Sequence, residues 1–136
     1  MTRGRILIVD DNAMNIALVT FVLGAEGFVV ESALDAGKAL TRISLALPDL
    51  ILMDIQMPGM NGIDLTKQLK ADPATKHIPI VAFTAHAMKG DEVKLRAAGC
   101  NGYMSKPIDV ATFAQRVGAF LAPKNLFEPS RSDPYV

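Results

Sequence analysis

The stretch Asp49 to Gly62, DLILMDIQMPGMNG, constrains this chain more than any other. An unbroken apolar run, Leu50 to Met53, delivers one carboxylate, Asp54, and is stopped shortly afterwards by Pro58 and Gly59. A continuous Leu/Ile/Met run this short, bounded by turn residues, is the pattern of a strand buried on both faces of a parallel sheet. Asp54 then stands at the carboxyl end of that strand. In open α/β sheets this is the edge where ligands and chemistry sit, which makes a lone acid there a functional candidate. Asp also caps turns after strands, so by itself the residue leaves both readings open.

The rest of the chain repeats the same unit. Arg5 to Val9 is a compact apolar run ending in the acid pair Asp10 and Asp11, with Asn12 placed as a helix N-cap. Met14, Ala17, Leu18, Phe21, Val22 and Ala25 fall at helical spacing, and Gly27 supplies a stop before Phe28 to Val30 resumes as strand. Asp35 is placed to cap a second helix with a buried stripe of Ala36, Ala39, Leu40, Ile43 and Leu47, closed by Pro48. After the Pro58-Gly59 turn a third helix carries Leu65 and Leu69 inward and Lys67 and Lys70 outward, ending near Asp72-Pro73. Pro79 to Phe83 is a fourth apolar run and leads into Thr84 and Ala85. The helix expected from His86 to Gly99 has a thin apolar set, Val93, Leu95 and Ala98, with Met88 near its start. Few buried contacts make it the least firmly anchored helix. Gly102 to Ser105 forms a short fifth strand running into Lys106 and Pro107. A last helix from Asp109 presents Val110, Phe113, Ala114, Val117, Phe120 and Leu121 on one face and ends at Pro123. Five strands alternating with five helices at these lengths predict a doubly wound parallel α/β sheet with right-handed crossovers.

Composition narrows the class. The 136 residues suit one domain, read as 1–122, with the proline-rich, aperiodic remainder 123–136 as a flexible tail. Lys plus Arg balances Asp plus Glu at 14 each, which argues against nucleic acid or an anionic membrane as the main partner. No apolar run reaches the roughly 18 residues of a membrane span, and the amino terminus meets acids too early for a signal peptide, so a cytoplasmic protein is expected. The single cysteine, Cys100, excludes an internal disulfide and reads as a small packing residue. His77 reads as a surface residue ahead of the fourth strand, and the seven methionines as core filler.

Lining up the strand ends brings Asp10 and Asp11, Asp54, Thr84 and Lys106 to one sheet edge. Each has a dull explanation alone, but a parallel sheet sets those ends side by side. Two carboxylates about 4 Å apart repel by roughly 4 kcal/mol at an effective dielectric near 20, and three acids face one lysine here. The site therefore calls for a cation. Its oxygen ligands, without thiolate or imidazole, favour Mg²⁺, which commonly takes substrate phosphate oxygens as further ligands. An aspartate beside such an ion is suited to attack phosphorus, with the lysine neutralising charge and Thr84 donating its hydroxyl to a phosphate oxygen.

The motifs IVDDN, LILMDIQMPGMNG, FTA and YMSKP, in this order, resemble the receiver domain of bacterial two-component response regulators over residues 5 to about 121. The resemblance implies a flavodoxin-like fold with strand order 2-1-3-4-5. It makes Asp54 the phosphoacceptor, Asp10 and Asp11 the acidic pair for Mg²⁺, and the main-chain carbonyl of Gln56 the remaining protein ligand. Lys106 becomes the phosphate partner, while Thr84 and Tyr103 match the switch pair. Ala85, His86 and Pro107 flank the site, the peptide before the last being cis in the family. The stretch TAHAMKGDE resembles small stand-alone receivers of phosphorelays, including those of bacterial cell-cycle control, although receivers fused to sensor kinases share it. The partners implied are a histidine kinase or histidine phosphotransfer protein upstream and another protein downstream. Two rivals stand beside this: an adaptor that acts without phosphorylation, and a phosphohydrolase. Hydrolases of the haloacid dehalogenase type have a second acid two residues beyond the nucleophile, where this chain has Gln56, so a signalling domain that does not turn over substrate is expected.

Overall fold

In the computed structural model, residues 4–55, 62–84, 89–106 and 108–121 are described, the side chains of 89–92 excepted. Among them five strands alternate with five helices: β1 Gly4–Val9, α1 Ala13–Ala25, β2 Phe28–Ala33, α2 Ala36–Leu45, β3 Leu50–Asp54, α3 Gly62–Ala71, β4 Ile80–Thr84, α4 Lys89–Ala98, β5 Gly102–Ser105 and α5 Phe113–Leu121. The strands form one sheet in the order β2-β1-β3-β4-β5, with every neighbouring pair parallel. This is the flavodoxin-like arrangement expected from the chain.

Side-chain alternation divides the sheet into two cores. On one face Ile6, Ile8, Leu50, Leu52, Val81, Phe83 and Met104 meet α1 and α5. On the other, Leu7, Val9, Ile51, Met53, Ile80 and Ala82 meet α2, α3 and α4. Two of the three inner strands, β3 and β4, are buried along their whole length, the physical meaning of their uninterrupted apolar runs. The helix starts follow from capping: Asn12 Oδ1 accepts the N–H groups of Met14 and Asn15 at 2.8 and 3.2 Å, and Asp35 Oδ1 accepts that of Lys38 at 2.8 Å. At the end of α1, Gly27 takes a positive φ of 94°, a conformation that favours glycine.

Several expected details are corrected. In α1 the buried residues are Val19, Val22 and Leu23, whereas Met14 and Phe21 are 81% and 76% exposed and Ala17, Leu18 and Ala25 also face outward. The segment is apolar almost all round, so two different stripes satisfy the helical period, and the sheet selects the other one. Leu47 lies beyond the end of α2 and is exposed, and Leu40 is only partly buried. Val93 on α4 is exposed, leaving Leu95 and Ala98 as its inward residues among those described. β2 extends to Ala33, past the expected Val30. Asp109 begins a turn, not α5 itself: its side chain accepts the Ala111 N–H at 3.1 Å and its carbonyl the Phe113 N–H at 2.9 Å, and Val110 stays exposed.

Lys70 also departs from expectation. Its ammonium turns back to donate to the carbonyls of Lys76 and Ile78 at 3.1 and 2.8 Å and to Asn101 Oδ1 at 2.9 Å. Asn101 Oδ1 also accepts the Ile80 N–H, so this lysine ties α3 to the amino-terminal end of β4 and β5.

Candidate phosphoryl-acceptor site

Parallel register brings the site together. Val9 pairs with Met53 and Asp54 with Phe83, so Asp10, one step past β1, comes level with Asp54. Thr84 pairs with Ser105, which carries Lys106 just beyond the end of β5. Oxygen atoms of Asp10, Asp11 and Asp54 lie within 4.8 Å of one another, one carboxylate from each. Asp10 and Asp54 are buried and Asp11 is exposed. The trio thus has a closed inner side and an open outer side.

Lys106 supplies the countercharge. Its Nζ stands 2.9 Å from Asp10 Oδ2 and 3.5 Å from Asp54 Oδ2, with the lysine side chain only 15% exposed. Two partly desolvated acids sharing one ammonium repel each other less than they otherwise would, but the balance remains negative. Asp10 is further held by the Asn12 N–H, donated to Oδ1 at 2.8 Å, while its own N–H donates to the Ala33 carbonyl at 3.0 Å. The Asn15 amide reaches Asp10 Oδ2 at 3.5 Å, the outer limit of a hydrogen bond. The Lys106 N–H donates to the Thr84 carbonyl at 2.9 Å, which fixes the end of β5 to the end of β4.

Thr84 is buried at the carboxyl end of β4, and Tyr103 is half-buried against the core on the α2/α3/α4 face. Alternation places Ala82 and hence Thr84 on that same face, so the two expected switch residues share it. Gln56, Ala85, His86 and Pro107, and the tail 123–136, lie outside the described residues. Three carboxylates gathered around one point, with excess negative charge and only oxygen ligands, fit a hard divalent cation such as Mg²⁺.

Two residues that the motifs contain without giving them a role also belong to the site. Phe83 falls in an apolar run and opens the motif FTA, neither of which gives it a role, yet its ring centroid lies 5.1 Å from Lys106 Nζ. Its position beside Asp54 follows from counting register along a parallel sheet, the one signal that points to it. Gly62, the first residue of α3, is the other. A Cβ there would stand 2.3 Å from the Asp54 carbonyl oxygen and 2.9 Å from Ile55 Cα, while the Gly62 N–H donates to the Ile55 carbonyl at 3.2 Å. The start of α3 therefore packs directly on the backbone that carries Asp54.

Comparison with known proteins identifies the family and agrees with the fold. The chain belongs to the response regulator receiver domain family, whose model matches residues 6–118, and accepting a phosphoryl group on aspartate is the general function of that family. Among individual relatives, the chain is 42% identical over 116 residues to the polar-differentiation response regulator DivK of Brucella anthropi, covering 85% of this chain and 94% of DivK. In three dimensions it is similar to a putative response regulator from Chloroflexus aurantiacus (TM-score 0.83, 32% identity, 88% of this chain and 98% of that one). The chemotaxis protein CheY4 of Vibrio cholerae is similar too (TM-score 0.82, 28% identity, 87% and 98%).

Proposed function

We propose that Asp54 is the phosphoacceptor of a phosphorelay switch within a receiver domain spanning 1–122, followed by a tail at 123–136. The observation that carries this reading is the meeting of Asp10, Asp11, Asp54 and Lys106 at one strand edge. An Asp54 carboxylate oxygen attacks the phosphorus of a phosphohistidine; the P–N bond breaks, and the departing imidazole takes up a proton. Asp10, Asp11, Asp54 and the main-chain carbonyl of Gln56 would hold Mg²⁺, which when bound neutralises charge on the transferring phosphoryl group. Lys106 exchanges its contact with Asp54 for a phosphoryl oxygen, and Thr84 donates its hydroxyl to another.

The donor is a histidine kinase or a histidine phosphotransfer protein, and α1 is the surface it meets. Met14, Leu18 and Phe21 leave an exposed apolar stripe along this helix, which begins beside Asp11 and Asn12. Contiguous exposed apolar side chains of this kind mark protein interaction sites. The output is conformational. New charge at Asp54 draws Thr84 and Lys106 toward the phosphoryl group, Tyr103 follows inward on the shared face, and the surface formed by α4, β5 and α5 selects a downstream protein. Among the described residues no helix is long and apolar enough to cross a membrane, in keeping with a cytoplasmic site of action.

Incubation with a cognate histidine kinase and radiolabelled ATP tests the assignment. The wild-type protein should take up label in the presence of Mg²⁺, and Asp54→Asn should take up none. Label retained by D54N at unchanged stoichiometry overturns it.

A further inference from the structure

We propose that Phe83 is a positioning residue for Lys106, a role that rests on the phosphoacceptor reading of Asp54. The Lys106 ammonium sits among three neighbours: Asp10 at 2.9 Å, Asp54 at 3.5 Å and the Phe83 ring, whose centroid is 5.1 Å away. Phe83 is 1% exposed and pairs in register with Asp54 on one side and Met104 on the other. Its backbone thus lies between the strand that ends at Asp54 and the strand that leads to Lys106, and its ring rises from the same sheet face toward α5. Phe113 of α5 packs against it at 6.0 Å between centroids, which limits where the ring can go.

The chemistry of the ring matters as much as its place. An aromatic face attracts a cation but offers no lone pair to a metal and no negative charge to repel phosphoryl oxygens. A third carboxylate at this point would do both. When a metal takes Asp10 and a phosphoryl group takes Asp54, both ionic partners of Lys106 are drawn away. The ring is the part of its seat that stays, holding the ammonium at the height where the phosphoryl oxygens arrive. In the metal-free protein the ring keeps the ammonium close to the carboxylates, where its charge repels an incoming divalent cation, so the ring opposes metal entry.

These two effects have opposite signs, and that separates positioning from packing. Phe83→Leu should bind Mg²⁺ about threefold more tightly by calorimetric titration, yet accept phosphoryl groups from phosphoramidate about tenfold more slowly, within the range a cation–π contact spans. In the metal-free protein, the Lys106 εCH₂ protons should lose the ring-current displacement that Phe83 imposes, as read by NMR. Leu50→Ala is the matched control: it trims a side chain of the same core at the opposite end of β3, lowers stability, and leaves all three readouts near wild type. The proposal is overturned if the Lys106 resonances do not move in F83L, or if Mg²⁺ affinity and phosphoryl uptake fall together there. Failure of the wild-type protein to take up any phosphoryl group would overturn the Asp54 reading instead, with the Mg²⁺ and NMR arms still deciding the placement of Lys106 by Phe83.

Discussion

Asp10 has no exposed surface and still keeps company with two other acids, a placement held up by Lys106 and by the Asn12 N–H. A site so dependent on position is sensitive to the backbone beneath it, and Gly62 is where that backbone has least room. Gly62→Ala forces a methyl group into the Asp54 carbonyl, so it should cost about 1–3 kcal/mol in urea denaturation and weaken Mg²⁺ binding measurably. Gly24→Ala on α1, where nothing lies within 4 Å, should instead gain roughly 0.5–1 kcal/mol and leave Mg²⁺ binding unchanged. Cys100 makes a different residue-scale prediction. Burial pushes its thiol up from 9.0 to about 11, against smaller lowering effects from Thr66 and Lys70. Folding thus favours the neutral thiol, a contribution fully present below the unfolded pKa and lost as pH rises through the folded one. Stability should fall between pH 9 and about 11 by on the order of 2 kcal/mol, and Cys100→Ala should remove that dependence from the denaturation midpoints.

Among the elements, α1 carries the most information about partners. Its inner residues, Val19, Val22 and Leu23, close the core over β1 and β3 and leave Met14, Leu18 and Phe21 exposed, the stripe proposed above to meet the donor. Phe21→Lys should therefore slow phosphoryl transfer from a protein donor about tenfold, the scale of a lost aromatic anchor. Transfer from phosphoramidate should be unaffected, because the carboxylates and Lys106 are untouched. Equal slowing with both donors would show that the substitution acts through the site and not through docking. The elements that form β3 and β4 were legible because a strand buried on both faces needs no alternation, and their apolar runs have none. The orientation of α1 was not legible for the converse reason. AMNIALVTFVLGA is apolar around most of its circumference, so helical period alone does not say which stripe faces inward.

At the scale of the whole molecule, the sheet order β2-β1-β3-β4-β5 does the assembling: it sets β3 between β1 and β4 and so brings carboxylates from β1 and β3 beside the lysine that follows β5. Lys70 plays the opposite part at the other end of the sheet, where its three acceptors join α3 to β4 and β5. Much of this could be read from the chain. The apolar runs named the strands and the motifs in order named the family, while the acids and the lysine at the strand ends suggested the chemistry proposed above. The sequence by itself determined which residues stand at the carboxyl edge of the sheet, because a parallel sheet presents its strand ends together. Only the tertiary structure decided which side of α1 faces outward, that Lys70 turns inward, that Gly62 abuts the Asp54 carbonyl and that Phe83 lies beside Lys106. Those are contacts between elements distant in the chain, and a periodicity defines a face without saying what will cover it.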